Sequence, residues 1–194
     1  MLTFRDILHT GAAICSLRRK LLFESALDRP RSGGGLAIPL SFRYGDASDL
    51  ESLSSPEYSY GVDARAFGLE RLRAGDRLVL SEIAGRVVFY AWVMFGQMDL
   101  GCRNYVPLPP DRAYTYKLFT VADCRGRRIC PGYYRWISGE LRTQGYGRLL
   151  AWVEAGNHAS IRAHTRAGFR PMGCIWHFRL FFRSYFVKPD PCAS

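Results

Sequence analysis

The segment Arg125-Gly126-Arg127-Arg128 places three guanidinium groups around one glycine, directly after the apolar run YKLFTV. The apolar run predicts a strand, and Pro131 fits the first turn of a helix that follows. A turn from a strand into a helix presents backbone N–H groups and the positive end of the helix to its surroundings, which suits an anion. The sequence therefore predicts an anion-binding turn at this point.

Charge is distributed unevenly along the 194 residues. The stretch from Arg112 to Arg183 holds thirteen Arg and Lys against three Asp and Glu, and it accounts for the whole net charge of +10. A local excess of this kind predicts a polyanionic ligand, which is either a phosphorylated cofactor or a nucleic acid. Surface arginines that bind no ligand are the alternative explanation.

Metal and disulfide chemistry are not predicted. The six cysteines include no CxxC pair, and the four histidines are spread along the chain, so zinc-type spacing is absent from the sequence. Reduced thiols in a cytoplasmic protein are the simplest expectation. No stretch reaches the roughly 18 apolar residues of a membrane span, and the N-terminal residues lack the order of a signal peptide.

The elements that must position the turn are predicted from hydrophobic periodicity and from turn residues. From residue 36 to residue 112 the prediction is a strand over 36–43, a short helix capped by Asp46, a helix ending at Gly75, a hairpin turning at Ala84-Gly85 and a Pro-rich loop over 97–112. From residue 113 onwards it is a strand over 113–121, a helix from Pro131 to Gly145, a strand over 148–155, a helix from Asn157 to Arg166 and a long strand over 169–182. This order predicts an α/β (α+β) fold with one mixed sheet of about six to seven strands flanked by helices.

Residues 1–35 are predicted to form an extension. Apolar residues recur there at helical spacing beside Arg18, Arg19 and Lys20, and DRPRSGGG then has the composition of a linker. A basic amphipathic helix of this kind packs against the main domain or lies on an anionic membrane surface. The predicted division is an extension over 1–35, a domain over 36–183 and a tail over 184–194.

Two stretches resemble the GNAT superfamily, the Gcn5-related N-acetyltransferases. VADCRGRRIC is similar to the family motif of a strand, a short loop, Arg/Gln-x-x-Gly-x-Gly/Ala and a helix. NHASIRAHTRAGF, residues 157–169, is similar to the family's Asn-x-x-Ala/Ser … Tyr-x-x-x-Gly-Phe helix. The resemblance covers roughly residues 36–183 and implies the GNAT fold.

The resemblance also implies acetyl-CoA as the acyl donor. Its pyrophosphate is expected at the backbone N–H groups of Gly126, Arg127, Arg128, Ile129 and Cys130, with the Arg125 side chain nearby. Its pantetheine arm is expected along the edge formed by Phe119, Thr120 and Val121, with Asn157 and Ser160 on the far side.

Two departures from the family pattern affect this expectation. The second motif glycine of the family is Arg128 here, and the last small residue is Cys130. An arginine Cβ narrows the approach to a phosphate, although the backbone N–H groups remain. The family's usual acid is a tyrosine on the last helix, and that position is His164 here.

His164 is the predicted catalytic acid, because imidazole can donate a proton to the leaving sulfur near neutral pH. A histidine that only lines the pocket is the alternative. The fourth family strand offers Thr115 and Lys117 on the substrate side, and neither is an obvious general base. A water relay or a substrate amine of low pKa is the more economical explanation.

The predicted reaction is direct transfer of an acetyl group to a primary amine of a small acceptor. Similarity to bacterial GNAT proteins of exopolysaccharide and cell-surface glycan synthesis favours an amino sugar, while amino acids, peptides and small antibiotics remain open. The alternatives are a longer acyl-CoA or an acyl carrier protein as donor, and a non-catalytic or nucleic-acid-binding protein that uses the basic face around Arg125–Arg170. No nucleic acid is expected as a partner. A homodimer is expected, and so is peripheral contact of residues 1–35 with the inner membrane face.

Overall fold

The computed structural model of the chain describes residues 15–28, 40–58, 64–101, 104–180 and 183–187. Residues 29–35 of the predicted linker, residues 36–39 of the predicted strand over 36–43, the start of the predicted N-terminal helix and the tail from residue 188 lie outside these ranges. The strands are β1 Cys15–Ala26, β2 Arg43–Gly45, β3 Arg77–Ile83, β4 Arg86–Phe95, β5 Gln97–Asp99, β6 Tyr105–Pro107, β7 Arg112–Thr120, β8 Arg148–Glu154, β9 Arg170–Leu180 and β10 Arg183–Val187. The helices are α1 Asp49–Ser52, α2 Ala64–Arg73, α3 Ile129–Thr143 and α4 His158–Arg166.

One mixed sheet organises the described residues. It holds eight strands in the order β10-β9-β1-β8-β7-β4-β3-β2. The pairs are antiparallel except for β7 and β8, which are parallel. The predicted fold class of a mixed sheet flanked by helices is confirmed, with eight strands where about six to seven were expected.

The two faces of the sheet are covered by different elements. Successive side chains of a strand point to opposite faces. Thr115 of β7 contacts Tyr133 of α3, whereas its neighbour Tyr116 bonds to Asp76, just after α2. Helix α3 therefore covers one face of the sheet, and the end of α2 lies on the other.

Strand β1 corrects the prediction of an N-terminal helix. Residues 15–26 form a strand that pairs with β8 on one side and with β9 on the other, so the sheet is not formed by residues 36–183 alone. Phe23 is buried, and the buried Glu24 carboxylate lies 3.3 Å from Arg112 Nη1 and 3.7 Å from Arg148 Nη1. A short apolar run with ionisable residues inside it does not distinguish a strand from a helix by periodicity. The helix prediction for these residues was wrong because pairing with distant strands determines their secondary structure.

Most of the remaining elements follow the local signals in the sequence. The β3–β4 hairpin turns at Ala84 and Gly85, whose φ angles of 49° and 76° fit a two-residue hairpin turn. Helix α3 ends before Gly145, with φ 88°, and α4 before Gly168, with φ 83°. Helices commonly end with a glycine in this left-handed region.

Several boundaries differ from the prediction. Strand β2 begins at Arg43, and residues 40–42 of the predicted strand lie outside it. The N-cap of α1 is Ser48, and the Asp46 side chain accepts hydrogen bonds from Ser48 N and Oγ instead of capping the helix. The predicted loop over 97–112 contains the β5–β6 hairpin. The predicted strand over 169–182 is β9, and β10 follows it in the described residues.

Candidate active site

Strands β7 and β8 separate from each other in the middle of the sheet. Their parallel pairing ends at Tyr114 and Leu150, although β7 continues to Thr120 and β8 to Glu154. We call the gap between residues 115–120 and 151–154 the β7–β8 opening. An extended ligand with amide groups can pair with a strand edge of this kind as another strand would.

A bulge in β7 lies beside the β7–β8 opening. The register between β4 and β7 shifts between Tyr90 and Trp92, so β7 holds an extra residue there. Lys117 in the bulge has a φ of 49°, a region that residues other than glycine rarely adopt. Bulges redirect side chains next to functional sites, and Lys117 Nζ lies over the Phe67 ring of α2, 4.5 Å from its centre.

The turn between β7 and α3 contains the Arg/Gly cluster and faces solvent. Gly126 and Arg128 have φ angles of 79° and 61°. Arg125, Gly126, Arg127 and Arg128 are all exposed. A Cβ placed on Gly126 would meet no atom within 4 Å, so a ligand can approach the backbone at this point.

The start of α3 has an unbalanced positive charge. Arg128 is its N-cap without a side-chain capping bond, and the first turn holds no acidic residue. Asp123, the acidic residue just before the cluster, pairs with Arg86 at 2.7 Å. Three arginines at the positive end of a helix repel that end, and a bound anion removes the repulsion.

The residues predicted to hold the pantetheine arm differ in what they offer. Phe119 and Thr120 are partly buried, whereas Val121 is fully buried and its N–H donates to Val88 O at 3.1 Å. The Thr120 carbonyl accepts a hydrogen bond from Arg125 Nε at 3.2 Å. Val121 thus presents neither its side chain nor its N–H to a ligand, and contact through Phe119 and Thr120 stays a prediction.

The first residues of α3 face inwards. Ile129 is buried, and Cys130 is partly buried. Burial raises the pKa of the Cys130 thiol to about 12, although a hydrogen bond with Tyr134 acts in the opposite direction. A thiol with this pKa stays protonated at neutral pH, so Cys130 is not suited to accept an acyl group as a nucleophile.

Helix α4 begins at the predicted cap. The Asn157 side chain accepts a hydrogen bond from Ser160 N at 3.0 Å, which is the ordinary capping contact. Asn157 is exposed and Ser160 is partly buried. Their predicted contact with the cofactor arm stays a prediction, and the capping role is confirmed.

His164 is enclosed by aromatic residues, with 4% of its surface exposed. Its Nδ1 lies 2.8 Å from the Ser160 carbonyl oxygen and its Nε2 2.6 Å from the Tyr134 hydroxyl. Because a carbonyl only accepts, Nδ1 carries a hydrogen, and in the neutral ring Nε2 accepts from Tyr134. The rings of Phe23 and Phe169 lie 5.6 and 5.3 Å away. The acid role of His164 stays a prediction, and Tyr134 is a partner that no sequence signal indicated.

The two predicted substrate-side residues of β7 have different surroundings. Thr115 is buried; its Oγ1 donates to Trp92 O at 3.1 Å and accepts from the Tyr133 hydroxyl at 2.6 Å. Its hydroxyl is therefore used inside the protein. Burial lowers the pKa of Lys117, and this side chain lies on the α2 face.

A group of ionisable residues on the α2 face was also missed by the sequence reasoning. Asp76 Oδ2 accepts a hydrogen bond from the Tyr116 hydroxyl at 2.5 Å and lies 3.6 Å from Arg71 Nη1. Asp76 is 5% exposed and Arg71 is 7% exposed. Burial raises the pKa of Asp76, although the bond from Tyr116 and the charge of Arg71 act in the opposite direction. We call Asp76, Tyr116 and Arg71 the Asp76 cluster.

In the part of the chain that the structure describes, no group of three or more His, Cys, Asp or Glu side chains could hold a metal ion. Among the helices of the same ranges, none is long and apolar enough to cross a membrane.

Comparison with known proteins identifies the family. Residues 49–169 match the Acetyltransferase (GNAT) family, and the match spans more than half of the chain. The chain belongs to the GNAT acetyltransferase family, whose members use acetyl-CoA. No curated protein matches the chain in sequence.

Solved structures share the fold. A Drosophila protein is similar over 92% of this chain at 14% identity and a TM-score of 0.61, and this chain spans 56% of its length. A ribosomal-protein-alanine N-acetyltransferase from Brucella melitensis is 26% identical, with a TM-score of 0.50 over 67% of this chain and 84% of its own. A predicted acetyltransferase from Clostridium acetobutylicum, solved with acetyl-CoA, is 14% identical, with a TM-score of 0.50 over 68% and 90%.

Proposed function

We propose that the chain transfers an acetyl group from acetyl-CoA directly to a primary amine of a small acceptor. The observation that carries this proposal is the β7–β8 opening, which lies beside the exposed arginine turn at the start of α3. A ligand with an extended amide-bearing arm and phosphates at one end fits this pair of features. Membership of the GNAT family supports the same conclusion.

The residues present fit the phosphates of acetyl-CoA. The backbone N–H groups from Gly126 to Cys130 would hold the pyrophosphate, with the guanidinium groups of Arg125, Arg127 and Arg128 around it. Arg128 adopts the left-handed backbone conformation that favours glycine, with φ 61°. The backbone path of the turn is therefore compatible with glycine at this position, and the arginine adds a charge.

The proposed reaction joins the amine nitrogen to the thioester carbonyl carbon. A C–N bond forms, the C–S bond breaks, the nitrogen loses one proton and the sulfur gains one. The protonated Cys130 thiol favours direct transfer over an acyl-enzyme. His164 is the proposed proton source for the sulfur in its imidazolium form, in which both ring nitrogens carry a hydrogen and Nε2 donates to the Tyr134 hydroxyl instead of accepting from it.

On the acceptor side, Lys117 is the proposed contact, because the bulge places it beside the β7–β8 opening. An amino sugar is the acceptor we favour for a first test, with amino acids, peptides and small antibiotics as further candidates. A longer acyl-CoA or an acyl carrier protein is the alternative donor. A cytoplasmic location and a homodimer complete the proposal. Membrane contact through the N-terminal residues would fall on those before β1, because Cys15–Ala26 lies inside the sheet.

A nucleic-acid-binding protein on the same fold is the second candidate, because Arg162, Arg166 and Arg170 are exposed in addition to the turn arginines. Calorimetric titration separates the two, with acetyl-CoA, dephospho-CoA and a single-stranded RNA as probes at low and at physiological salt. We expect acetyl-CoA to bind and to raise the melting temperature, dephospho-CoA to bind more weakly, and RNA binding to vanish as salt rises. Tight RNA binding without acetyl-CoA binding at low salt would support the second candidate instead.

A further inference from the structure

The end of α2 places a charged pair where an apolar contact is usual. Gly75 N donates to Leu72 O at 3.1 Å, and Asp76 N donates to Arg71 O at 3.0 Å. These two bonds form the Schellman motif, in which the residues at the positions of Asp76 and Arg71 commonly make a hydrophobic contact. This chain has a buried carboxylate and a buried guanidinium there instead.

Stability alone does not explain this pair. Removing two charges from water costs several kcal/mol per ion, and a well-packed apolar pair is often equally stable or more stable. A buried carboxylate whose pKa is raised by burial and that has a defined hydrogen-bond donor is typical of a site that moves protons. Asp76 has this combination of burial and partner.

Tyr116 connects Asp76 with the β7–β8 opening. It lies two residues beyond Tyr114, the last residue of β7 that pairs with β8, and next to the bulge at Lys117. Its ring stacks on the Tyr114 ring at 5.5 Å between centroids and an angle of 5°, which fixes its orientation. Tyr116 is only partly buried whereas Asp76 is almost fully buried. A proton that arrives at the Tyr116 hydroxyl can pass to the carboxylate through their hydrogen bond.

We propose that Tyr116 takes the proton that the acceptor amine loses and passes its own hydroxyl proton to Asp76. This inference rests on the proposed acetyl transfer. As the C–N bond forms, the proton moves from nitrogen to Tyr116 Oη while the Tyr116 O–H proton moves to Asp76 Oδ2. The C–S bond breaks, and the sulfur takes a proton from His164 or from water. Asp76 returns its proton to water by the same route after the products leave.

The groups around Asp76 decide how the relay depends on pH. Tyr116 faces it from β7 and Arg71 from α2. Arg71 in turn donates to the Tyr105 hydroxyl of β6 at 3.3 Å and pairs with Glu70 at 3.4 Å. The positive charge of Arg71 acts against protonation of the carboxylate, and a proton acceptor must be ionised.

The relay is tested by the pH dependence of amine acetylation. Thiol release from acetyl-CoA is measured with glycinamide, glucosamine and n-butylamine, from about pH 6 to about pH 10. The variants are Asp76→Asn and Tyr116→Phe, which keep the shape of each side chain, and Asp76→Glu as a conservative replacement. Glu70→Gln is the matched control, because Glu70 also pairs with Arg71 but is exposed.

We expect kcat/KM of Asp76→Asn and Tyr116→Phe to fall by roughly 10²–10⁴ at neutral pH. The remaining rate should keep only the rise of about tenfold per pH unit that the fraction of free amine imposes on every variant, because its dependence on the ionised Asp76 carboxylate is lost. Asp76→Glu should recover part of the rate, Glu70→Gln should behave as the unmodified protein, and acetyl-CoA affinity should change by less than about twofold in every variant.

Unchanged kcat/KM and an unchanged pH profile in either Asp76→Asn or Tyr116→Phe would overturn the relay. A loss of rate that is equal at all pH values and accompanied by weaker acetyl-CoA binding would also overturn it, since that pattern belongs to a structural role. Acetyl-CoA binding without thiol release to any of the three amines would overturn the relay but leave the cofactor site intact. Absence of acetyl-CoA binding would instead refute the proposed function.

Discussion

The hydrogen bond between Tyr134 and His164 predicts the outcome of a double-mutant cycle. Tyr134 donates to His164 Nε2 at 2.6 Å, and the two residues are 0% and 4% exposed. Tyr134→Phe removes only the hydroxyl, and His164→Leu removes both ring nitrogens. Each change leaves a buried polar atom of the other residue without this partner.

The magnitudes follow from that burial. Leaving a buried donor or acceptor without its partner costs about 1–3 kcal/mol, which is the range expected for Tyr134→Phe. His164→Leu loses in addition its ring contacts with Phe23 and Phe169, at about 0.5–1.5 kcal/mol for such a pair. The double variant should cost less than the sum of the two by about 1–2 kcal/mol, because the polar atom that each single change deprives of this bond is removed as well.

Urea unfolding followed by tryptophan fluorescence gives the four free energies. A matched control cycle uses Tyr133→Phe with His164→Leu, since Tyr133 bonds to Thr115 instead. The control cycle should be additive to within about 0.5 kcal/mol. Additivity in the Tyr134 cycle as well would refute the buried pair.

Three further predictions concern the backbone, the sheet and the Asp76 cluster. Arg128→Gly should raise the free energy of unfolding by about 0.5–1 kcal/mol, because relief of the left-handed backbone strain exceeds the entropy cost of glycine. The same change should weaken acetyl-CoA binding. A lower free energy of unfolding in urea would contradict this prediction. A chain that starts at Leu36 lacks β1 and should show no cooperative unfolding by circular dichroism; a sharp transition would show that the sheet forms without β1. Burial raises the folded pKa of Asp76 above its ordinary value of 3.8, so its favourable contribution to stability is present below that value and is lost as pH rises through the folded pKa. The stability of the unmodified protein relative to Asp76→Asn should therefore fall as pH rises above 3.8, and a rise with pH measured by urea unfolding would refute the raised pKa.

Helices and strands whose ends are marked by turn or capping residues could be predicted from the sequence. The β3–β4 hairpin, α3 and α4 are each bounded by a glycine or by a capping residue such as Asn157, and local backbone preferences decide their limits. Strand β1 has no such signal. Its position depends on pairing with β8 and β9, more than a hundred residues away in the sequence. Hydrophobic periodicity within a segment carries no information on contacts with such distant residues.

The candidate site divides in the same way. The anion-ready turn is local, so three arginines and a glycine between a strand and a helix were sufficient to predict it. The residues proposed to transfer protons have hydrogen-bond partners that are distant in the sequence. Tyr134 lies 30 residues from His164, and Asp76 lies 40 residues from Tyr116. No sequence spacing predicts either pair, because only the tertiary fold brings the two residues of each pair together.

The most direct test of the central claim compares two glycine variants by calorimetric titration with acetyl-CoA. Gly126→Asp places a carboxylate at the proposed pyrophosphate position. Gly96→Asp is the matched control, because both glycines have positive φ, 79° and 69°, and both have open space around them, while Gly96 lies between β4 and β5. We predict that acetyl-CoA binds the unmodified protein and Gly96→Asp with similar affinity, and that Gly126→Asp binds at least about tenfold more weakly, which corresponds to about 1.4 kcal/mol. Equal affinity in all three proteins would contradict the placement of the pyrophosphate at the start of α3.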